Sequence, residues 1–508
     1  MLVGMALKVV TVVCVLVALV SGQEKPNIIL LFADDLGWGD LGCYGHPTST
    51  TPNLDKMAEG GLKFMNFYSS APLCSPSRAS LLTGRYQSRT GIWPGVLMCG
   101  GLGGLPLNET TIAAQLKKAG YGTGMVGKWH LGVGLNEQYL PTKHGFDQYT
   151  GLPYSHDMCP YTICFYPDQA CDGHGVAGAT PCPLYKDEKI VQQPANFLTL
   201  AETYSTAATG FIHEMAGKKQ PFFLYMAFQH THHPQFASKM FTNSTIRGPF
   251  GDSLAELDWQ VGQIFDAINE TGISQNTFVF FTSDNGPALA HLSRGGNGGL
   301  LRCGKATTYE GGMREPAIAW WPGKIKPGRT FEMAATVDLF PTISRLVDIP
   351  IPTDRIIDGV DMSPILFEDK ESNRESYIYY PSNPSPNIGI FAVRHKEYKA
   401  HYYTKGGVYP HDGPDVMCRP STKETKHDPP LLFNLDYDPG ELNPLNTKES
   451  PYKEILQTIN EIKAKFESTV VWTESEMNKG ASNAAKPCAK PGCTPFPKCC
   501  STTSDMLN

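Results

Sequence analysis

The sequence has no concentrated basic surface. Its 508 residues contain 43 Lys and Arg and 49 Asp and Glu, which gives a formal net charge of -6 at pH 7. A protein that binds nucleic acid usually clusters Lys and Arg on one face, because it must neutralise phosphates. No such cluster occurs in this chain, so we expect no nucleic-acid partner.

Internal repeats and long apolar runs are also absent. No segment recurs with a period of about 20 to 50 residues, which argues against a repeat array. Beyond the N-terminus, no apolar stretch reaches the about 20 residues that a membrane-spanning helix needs. Because 41% of the residues are hydrophobic, the chain can bury a large core, and we expect one large domain and a smaller one.

Residues 1–22 have the pattern of a cleaved secretory signal peptide. Lys8 precedes a mostly apolar run at 9–20, and the small residues Ser21 and Gly22 follow it. A membrane anchor is the alternative, although the run is short for one. We expect a mature chain that passes through the secretory pathway, with predicted glycosylation sites at Asn108, Asn243 and Asn269.

The 14 cysteines are distributed as in a secreted protein. Two groups of four lie in a loop rich in Pro and Gly and in the C-terminal tail; they are Cys159, Cys164, Cys171 and Cys182, and Cys488, Cys493, Cys499 and Cys500. We expect disulfides in each group, with the pairing open and zinc binding as the alternative. Removal of Cys14 with the signal leaves an odd number, which indicates that one cysteine serves another purpose.

Four apolar runs end in polar residues, and they lie at 25–37, 121–132, 220–234 and 276–287. Such runs are typical of strands buried on both faces of a parallel sheet. Helical patterns at 110–120 and 252–272 lie between them. The alternation predicts an α/β domain with a large, mixed, mostly parallel sheet flanked by helices.

After about residue 335 the pattern changes. A helical segment at 338–349 is followed by short strand candidates separated by Pro- and Gly-rich turns, with a helical pattern at 452–468. This predicts a smaller α+β domain that contains an antiparallel sheet. We therefore divide the chain into the signal peptide (1–22), a large α/β domain (23–335), the smaller domain (336–480) and a cysteine-rich tail (481–508).

Polar side chains at the ends of the four apolar runs should meet at one site. In parallel sheets, ligands bind beyond the carboxyl ends of the strands. The residues in question are Asp34, Asp35, Lys128, His130, His230, His232, Asp284 and Asn285.

The carboxylates and the amide of this group offer only oxygen ligands. Asp34, Asp35, Asp284 and Asn285 therefore suit a hard cation such as Ca²⁺, or Mg²⁺, better than zinc. The alternative is a pair of solvated turns that cap helices.

The cationic residues of the group indicate an anionic substrate. Lys128 and His130 share a face of an extended segment, as do His230 and His232. Arg78 and Lys305 add positive charge beside the cation. Together they favour a phosphate, a sulfate or a carboxylate as substrate, with the histidines as proton-transfer groups.

Cys74 stands alone in the segment LCSPSRASLLTGR at 73–85. A thiolate in a Cys-x5-Arg phosphate loop would need arginine at position 80, where this chain has Ser80. A structural disulfide and a thiol activated by the following helix both stay open.

The same segment resembles a family signature. Cys74-Ser-Pro-Ser-Arg78, followed by Thr83-Gly-Arg85, is similar to the Cys-x-Pro-x-Arg and Thr-Gly-Arg motif of the type I, formylglycine-dependent sulfatases. A second signature of that family is similar to residues 120–132. Further segments resemble its arylsulfatase branch, and the resemblance runs from about residue 26 to the tail; they lie at 154–157, 230–236, 247–258, 283–287, 300–317 and 491–500.

The resemblance implies an alkaline-phosphatase-like fold, a sulfatase catalytic domain at 23–335 and a modified residue. In this family a formylglycine-generating enzyme oxidises the cysteine, here Cys74, to 3-oxoalanine during secretion. The hydrated aldehyde attacks sulfur, forms a covalent sulfo-enzyme intermediate and later expels sulfate.

The resemblance also implies a role for each site residue. Asp34, Asp35, Cys74, Asp284 and Asn285 match the ligands of one Ca²⁺. Arg78 and Lys128 match residues that hold the hydrate, and His130 matches the group that helps to deprotonate it. The residues that match sulfate contacts are Lys128, Ser155, His232 and Lys305, with His232 and Lys305 near the departing oxygen.

The implied substrate is cerebroside 3-sulfate, together with aryl sulfates, cleaved in the lysosome or after secretion. A sulfatase of N-acetylgalactosamine sulfates is one alternative, and the others are a phosphatase or phosphodiesterase of the same superfamily and an inactive binding protein. A lipid-presenting activator protein and a homo-oligomer are further expectations. One departure from the arylsulfatase pattern is Gln229, where that pattern has a histidine.

Overall fold

The computed structural model describes residues 25–160, 163–171, 182–408 and 413–503. The predicted signal peptide at 1–22 lies outside these residues. Among the described residues, no helix combines the length and the apolarity that crossing a membrane would require.

The strands of the described chain are β1 (Asn27–Ala33), β2 (Leu62–Tyr68), β3 (Gly122–Gly127), β4 (Gln148–Gly151), β5 (Ile163–Phe165), β6 (Gln169–Ala170), β7 (Leu184–Lys186), β8 (Lys189–Gln193), β9 (Phe222–Ala227), β10 (Thr277–Ser283), β11 (Arg314–Trp320), β12 (Gly328–Ala335), β13 (Ser376–Tyr379), β14 (Ala392–His395), β15 (Tyr398–Thr404), β16 (Thr425–Asn434) and β17 (Thr502–Thr503).

The α-helices are α1 (Pro52–Glu59), α2 (Cys74–Thr83), α3 (Gln87–Thr90), α4 (Ile112–Lys118), α5 (Phe197–Lys218), α6 (Pro249–Glu270), α7 (Glu310–Met313), α8 (Leu339–Leu346), α9 (Ser363–Phe367) and α10 (Tyr452–Thr469). Each of the two helical patterns expected between the buried strands is confirmed, as α4 and α6.

A large mixed sheet forms the centre of the molecule, with the strand order β12-β2-β11-β10-β1-β9-β3-β4-β7-β8-β17. Its middle strands β10, β1, β9, β3 and β4 are parallel neighbours. The four apolar runs of the sequence are four of these strands, which confirms the prediction of a buried parallel sheet.

Helices cover both faces of this sheet. The side chains of β1 accordingly point in alternation into two hydrophobic cores, one on each face. Ile29 and Leu31 pack in a cluster with residues of α1, α5 and α6. Ile28, Leu30 and Phe32 pack in the opposite cluster with residues of α2, α4 and α8. The predicted α/β class is confirmed.

A second, four-stranded antiparallel sheet has the order β13-β14-β15-β16. A third core joins it to α10 and to Tyr68 at the end of β2. The predicted antiparallel sheet is confirmed. Helix α8 contributes Leu339, Phe340 and Ile343 to the core of the large sheet, and the domain boundaries at 335 and 480 stay a prediction.

In the described parts of the chain, ten cysteines form five disulfides, namely Cys159–Cys182, Cys164–Cys171, Cys303–Cys418, Cys488–Cys500 and Cys493–Cys499. Each predicted group of four pairs within itself, so its cysteines are disulfide-bonded rather than arranged as zinc ligands. The Cys303–Cys418 bridge was not expected from the sequence. Asn108, Asn243 and Asn269 are all exposed, as glycosylation at these predicted sites would require.

Candidate active site

The carboxyl ends of four neighbouring strands bring the predicted polar residues together. Asp34 and Asp35 follow β1, and Asp284 and Asn285 follow β10. Lys128 directly follows β3, and the segment after β9 carries His232. Since β10, β1, β9 and β3 are adjacent in the sheet, residues up to 250 positions apart in the chain meet at one place.

Cys74 begins α2 and is only 2% exposed. Its Sγ lies 3.7 Å from Asp34 Oδ1 and 3.5 Å from Lys305 Nζ. Burial raises the pKa of the Cys74 thiol well above its ordinary value, although Lys128 and Lys305 act in the opposite direction. Because the thiolate is the reactive form of cysteine, the unmodified side chain is a poor nucleophile here.

Two buried cations pair with the carboxylates beside the thiol. Arg78 Nη2 lies 2.7 Å from Asp284 Oδ2 and 3.3 Å from Asp34 Oδ1. Lys128 Nζ lies 2.6 Å from Asp34 Oδ2. Burial opposes the charge on both cations, but Asp284 and Asp34 raise the pKa of Arg78, and Asp34 raises that of Lys128. Both side chains therefore stay charged.

The residues predicted to bind the cation fit that task. Asn285 donates from Nδ2 to Asp35 Oδ1 at 2.8 Å, and its Oδ1 is buried with no hydrogen-bond partner among the described residues. Burial and the neighbouring Asp34 raise the pKa of Asp284, as expected for carboxylates that face one another. Such a set suits a hard cation, and the orphaned amide oxygen is what a metal ligand would leave.

Asp35 turns towards the thiol by a left-handed backbone conformation, with φ of 59°. Such a φ is uncommon for a residue other than glycine. Ligand atoms of Asp34, Asp35, Cys74 and His232 all lie within 4.8 Å of one another, and all four residues are buried.

Lys305 and His232 close the other side of this group. Lys305 Nζ lies 2.7 Å from Asp35 Oδ1 and 3.1 Å from His232 Nε2. His232 Nδ1 donates to the carbonyl of His233 at 2.6 Å, so Nε2 is the nitrogen that accepts from Lys305. Burial, and then Lys305 and Lys128, hold the pKa of His232 well below its ordinary value.

His130 and Ser155 are buried near the strand ends with unused hydrogen-bonding capacity. His130 Nε2 contacts the carbonyl of Leu97 at 3.0 Å, while Nδ1 has no partner among the described residues. The Ser155 hydroxyl also has none. Burial, followed by the nearby cations, lowers the pKa of His130 well below its ordinary value.

His230, another of the residues predicted at the strand ends, has its ring on Glu256. Its Nε2 contacts Glu256 Oε2 at 2.9 Å, and its main-chain carbonyl accepts from the Asp34 amide at 2.9 Å. It therefore shapes the loop that carries Asp34 rather than the substrate site.

Sequence reasoning missed a buried polar pair behind His232. His156 is fully buried, and its ring packs edge to face on that of His232 at a centroid distance of 5.4 Å. Gln229 contacts His156 Nδ1 at 3.3 Å. The only signal was their position, since His156 follows Ser155 and Gln229 departs from the arylsulfatase pattern.

Comparisons with known proteins agree with this geometry. A family model described as Sulfatase matches residues 26–349, and one described as the C-terminal region of aryl-sulfatase matches 372–501. Human arylsulfatase A is 48% identical over 96% of this chain and 97% of its own length. Rat N-acetylgalactosamine-6-sulfatase is 39% identical over 94% of this chain and 92% of its own length.

Solved structures confirm the alkaline-phosphatase-like fold. The PsFucS1 sulfatase from Pseudoalteromonas sp. has a TM-score of 0.75 and 26% identity, and the match covers 90% of this chain and 91% of that one. The phosphonate monoester hydrolase of Agrobacterium radiobacter shares the fold at a TM-score of 0.59 and 20% identity, with 88% and 96% covered. On the family models, the relatives and the fold together, the chain belongs to the sulfatase family and is a sulfuric ester hydrolase.

Proposed function

We propose that the protein hydrolyses the 3-sulfate of a galactosyl lipid, and aryl sulfates, after Cys74 has been converted to formylglycine and with Ca²⁺ held beside it. The observation that supports this most directly is the placement of Cys74. A buried thiol with a raised pKa lies between carboxylates that can bind a cation and cations that can bind a sulfate. That environment suits a precursor of another nucleophile better than a thiolate.

Asp34, Asp35, Asp284 and the Asn285 amide oxygen would hold the metal, with Ca²⁺ as the proposed ion and Mg²⁺ as the alternative. The ion would polarise an oxygen of modified residue 74, and the hydrated aldehyde would supply the hydroxyl that attacks sulfur.

The chain's own residues supply the remaining functions. Lys128 and Arg78 bring fixed positive charge to the oxygens of the nucleophile and the sulfate, which stabilises charge that develops there. His130 Nδ1 and the Ser155 hydroxyl have no partner in the described part of the chain. Nδ1 can accept a proton, and the hydroxyl can donate to a sulfate oxygen. Lys305, in contact with His232, can give a proton to the departing oxygen.

The identity of the substrate rests on relatives. The 48% identity to human arylsulfatase A supports the family resemblance of the sequence, and that resemblance implies a sulfated galactolipid. The 39% identity to N-acetylgalactosamine-6-sulfatase keeps a sulfated amino sugar as the second candidate.

Release of sulfate at about pH 5 tests the proposal. Cerebroside sulfate, p-nitrophenyl sulfate and N-acetylgalactosamine 6-sulfate are each incubated with the wild type and with Cys74→Ala. We expect cleavage of the lipid and of the aryl ester by the wild type and no cleavage by the variant. Cleavage of the amino sugar but not of the lipid would identify a sulfated amino sugar as the substrate. Equal activity of the variant and the wild type would refute the role of residue 74.

The family resemblance also supports a proposal about the cellular setting. We propose transit through the endoplasmic reticulum, where the formylglycine-generating enzyme would act, and delivery to the lysosome or secretion. A lipid-presenting activator and a homo-oligomer belong to this proposal. Immunolocalisation, together with sensitivity of the mature protein to deglycosylation, tests the route.

A further inference from the structure

Two imidazole rings, those of His232 and His156, donate hydrogen bonds to the segment that follows β9. His232 Nδ1 donates to the carbonyl of His233 at 2.6 Å, and His156 Nε2 donates to the carbonyl of Pro234 at 2.9 Å. Two successive carbonyl groups are thus fixed by two rings that also pack on each other at 73°. The orientation of His232 therefore depends on that of His156.

His156 is held in a pocket with no access to water. It is fully buried, and the rings of Phe197 and Phe236 pack on it edge to face at 5.6 and 5.3 Å. Burial lowers its pKa to about 4, so the ring is neutral. A neutral ring that donates from Nε2 must accept at Nδ1.

The Gln229 side chain is the group that lies at this Nδ1. In the structure its Oε1 lies 3.3 Å from Nδ1 and its Nε2 donates to the Tyr204 hydroxyl at 3.5 Å, and the side chain is fully buried. An amide oxygen cannot donate to Nδ1, so we assign the opposite orientation, in which the NH2 group donates to His156 Nδ1 and the amide oxygen can accept from the Tyr204 hydroxyl. Amide oxygen and nitrogen are interchangeable in this way by a half rotation.

We propose that Gln229 and His156 are positioning residues for His232: the amide fixes the tautomer and the orientation of His156, and His156 holds the His232 ring at the distance from which its Nε2 accepts from Lys305. This inference rests on the proposed function and extends it. Neither residue touches the substrate, so their effect should appear in the departure of the alcohol rather than in the binding of sulfate.

A comparison of two substrates with different leaving groups distinguishes this positioning role from a general loss of structure. When the sulfur–oxygen bond breaks, the oxygen keeps the electron pair and a sugar alkoxide must take a proton, here from the Lys305 ammonium group. p-Nitrophenolate is a stable anion and can leave without that proton. Misplacement of His232 and Lys305 should therefore slow the hydrolysis of a sugar sulfate far more than that of an aryl sulfate.

The test compares kcat and KM of wild type, Gln229→Met and Gln229→His on galactose 3-sulfate and on p-nitrophenyl sulfate. For Gln229→Met we expect kcat on the sugar to fall about 30-fold with KM unchanged, and kcat on the aryl ester to change less than about threefold. Gln229→His, which again places an N–H donor near His156, should recover most of the sugar activity.

Two further variants serve as controls. His156→Phe keeps the ring packing but cannot hold the Pro234 carbonyl, and it should reproduce the selective loss if Gln229→Met fails to fold. Gln115→Met removes another buried amide, which donates to the carbonyl of Pro350 at 3.1 Å, and should leave both substrates unaffected.

An equal fall on both substrates, or no fall on either, would overturn the inference while the proposed function stands. A wild type that releases sulfate from neither substrate would overturn the proposed function and the inference with it.

Discussion

At the scale of single residues, the environment of Cys74 explains why a thiol occurs among carboxylates and ammonium groups. Burial raises the pKa of its thiol, which disfavours the thiolate. The surrounding residues instead form a place where a cation, an oxygen nucleophile and a sulfate would all be stabilised.

The orphaned oxygen of Asn285 leads to a prediction about the metal. Asn285→Leu removes one neutral ligand and leaves the three carboxylates, so the affinity for Ca²⁺ should fall about tenfold, equivalent to about 1.4 kcal/mol. The measurement is activity against free Ca²⁺ after treatment with a chelator.

Asn276→Leu is the matched control for this prediction. Asn276 precedes the opposite end of β10 and donates to the carbonyl of Lys25, so its loss should leave the Ca²⁺ requirement as in the wild type. An Asn285→Leu protein with an unchanged requirement would contradict the assignment of this ligand.

At the scale of elements, β15 of the small sheet holds the segment that carries Lys305. Lys399, on β15, is fully buried. Its Nζ lies 2.7 Å from the carbonyl of Thr308 and 2.9 and 3.0 Å from carboxylate oxygens of Glu310 and Glu441. The Cys303–Cys418 disulfide ties the same segment to the chain before β16.

Removal of this buried charge should be costly. Lys399→Met leaves Glu310 and Glu441 without their shared cation, and we expect the free energy of unfolding to fall by about 3–5 kcal/mol. Denaturant unfolding measures the change. Lys426→Met, which removes an exposed lysine of β16, should stay within about 0.5 kcal/mol of the wild type, and a similarly small effect at Lys399 would contradict the account.

The contrast between Asp34 and Lys305 shows what the sequence could and could not predict. Asp34 and Asp284 each follow a continuous apolar run, so the rule for parallel strands predicts that they meet. Lys305 follows no strand, and its place depends on β15 and on a disulfide to Cys418. Such contacts join distant parts of the chain and leave no local pattern. Lys305 could be named only as a further positive charge, and its specific role near the departing oxygen was suggested by the family resemblance.

The contacts of Gln229 and of helix α8 also could not be predicted from the sequence. An amide in a strand-end loop has no periodicity that reveals which ring it will meet. The amphipathic pattern of α8 predicts a helix but not which of the two sheets it covers, and it packs on the large one.

At the scale of the whole molecule, the free energy of unfolding should decrease as the pH is lowered, because one histidine outside the site is buried. His144 packs on Trp129 at a ring distance of 5.4 Å, and burial lowers its pKa to about 4. In the unfolded chain its pKa is about 6.5, so between these values the unfolded state binds more protons. Its contribution is complete above pH 6.5 and is lost as the pH falls towards 4.

At pH 5 this one residue should cost about 2 kcal/mol relative to neutral pH. His144→Phe keeps an aromatic ring and cannot take up a proton, so its free energy of unfolding should depend less on pH by that amount. Urea unfolding at pH 8 and pH 5 for both proteins measures the difference. Parallel pH profiles of the two proteins would contradict the prediction.

The central claim is that Cys74 is the precursor of the nucleophile, and the mass of the peptide that contains residue 74 tests it most directly. Protein purified from a secretory host is digested, and that peptide is measured before and after reaction with a hydrazine, which labels aldehydes. We predict the mass of an aldehyde in place of the thiol, with the labelled product in proportion to sulfatase activity. An unmodified thiol at residue 74 in a fully active enzyme would contradict the account.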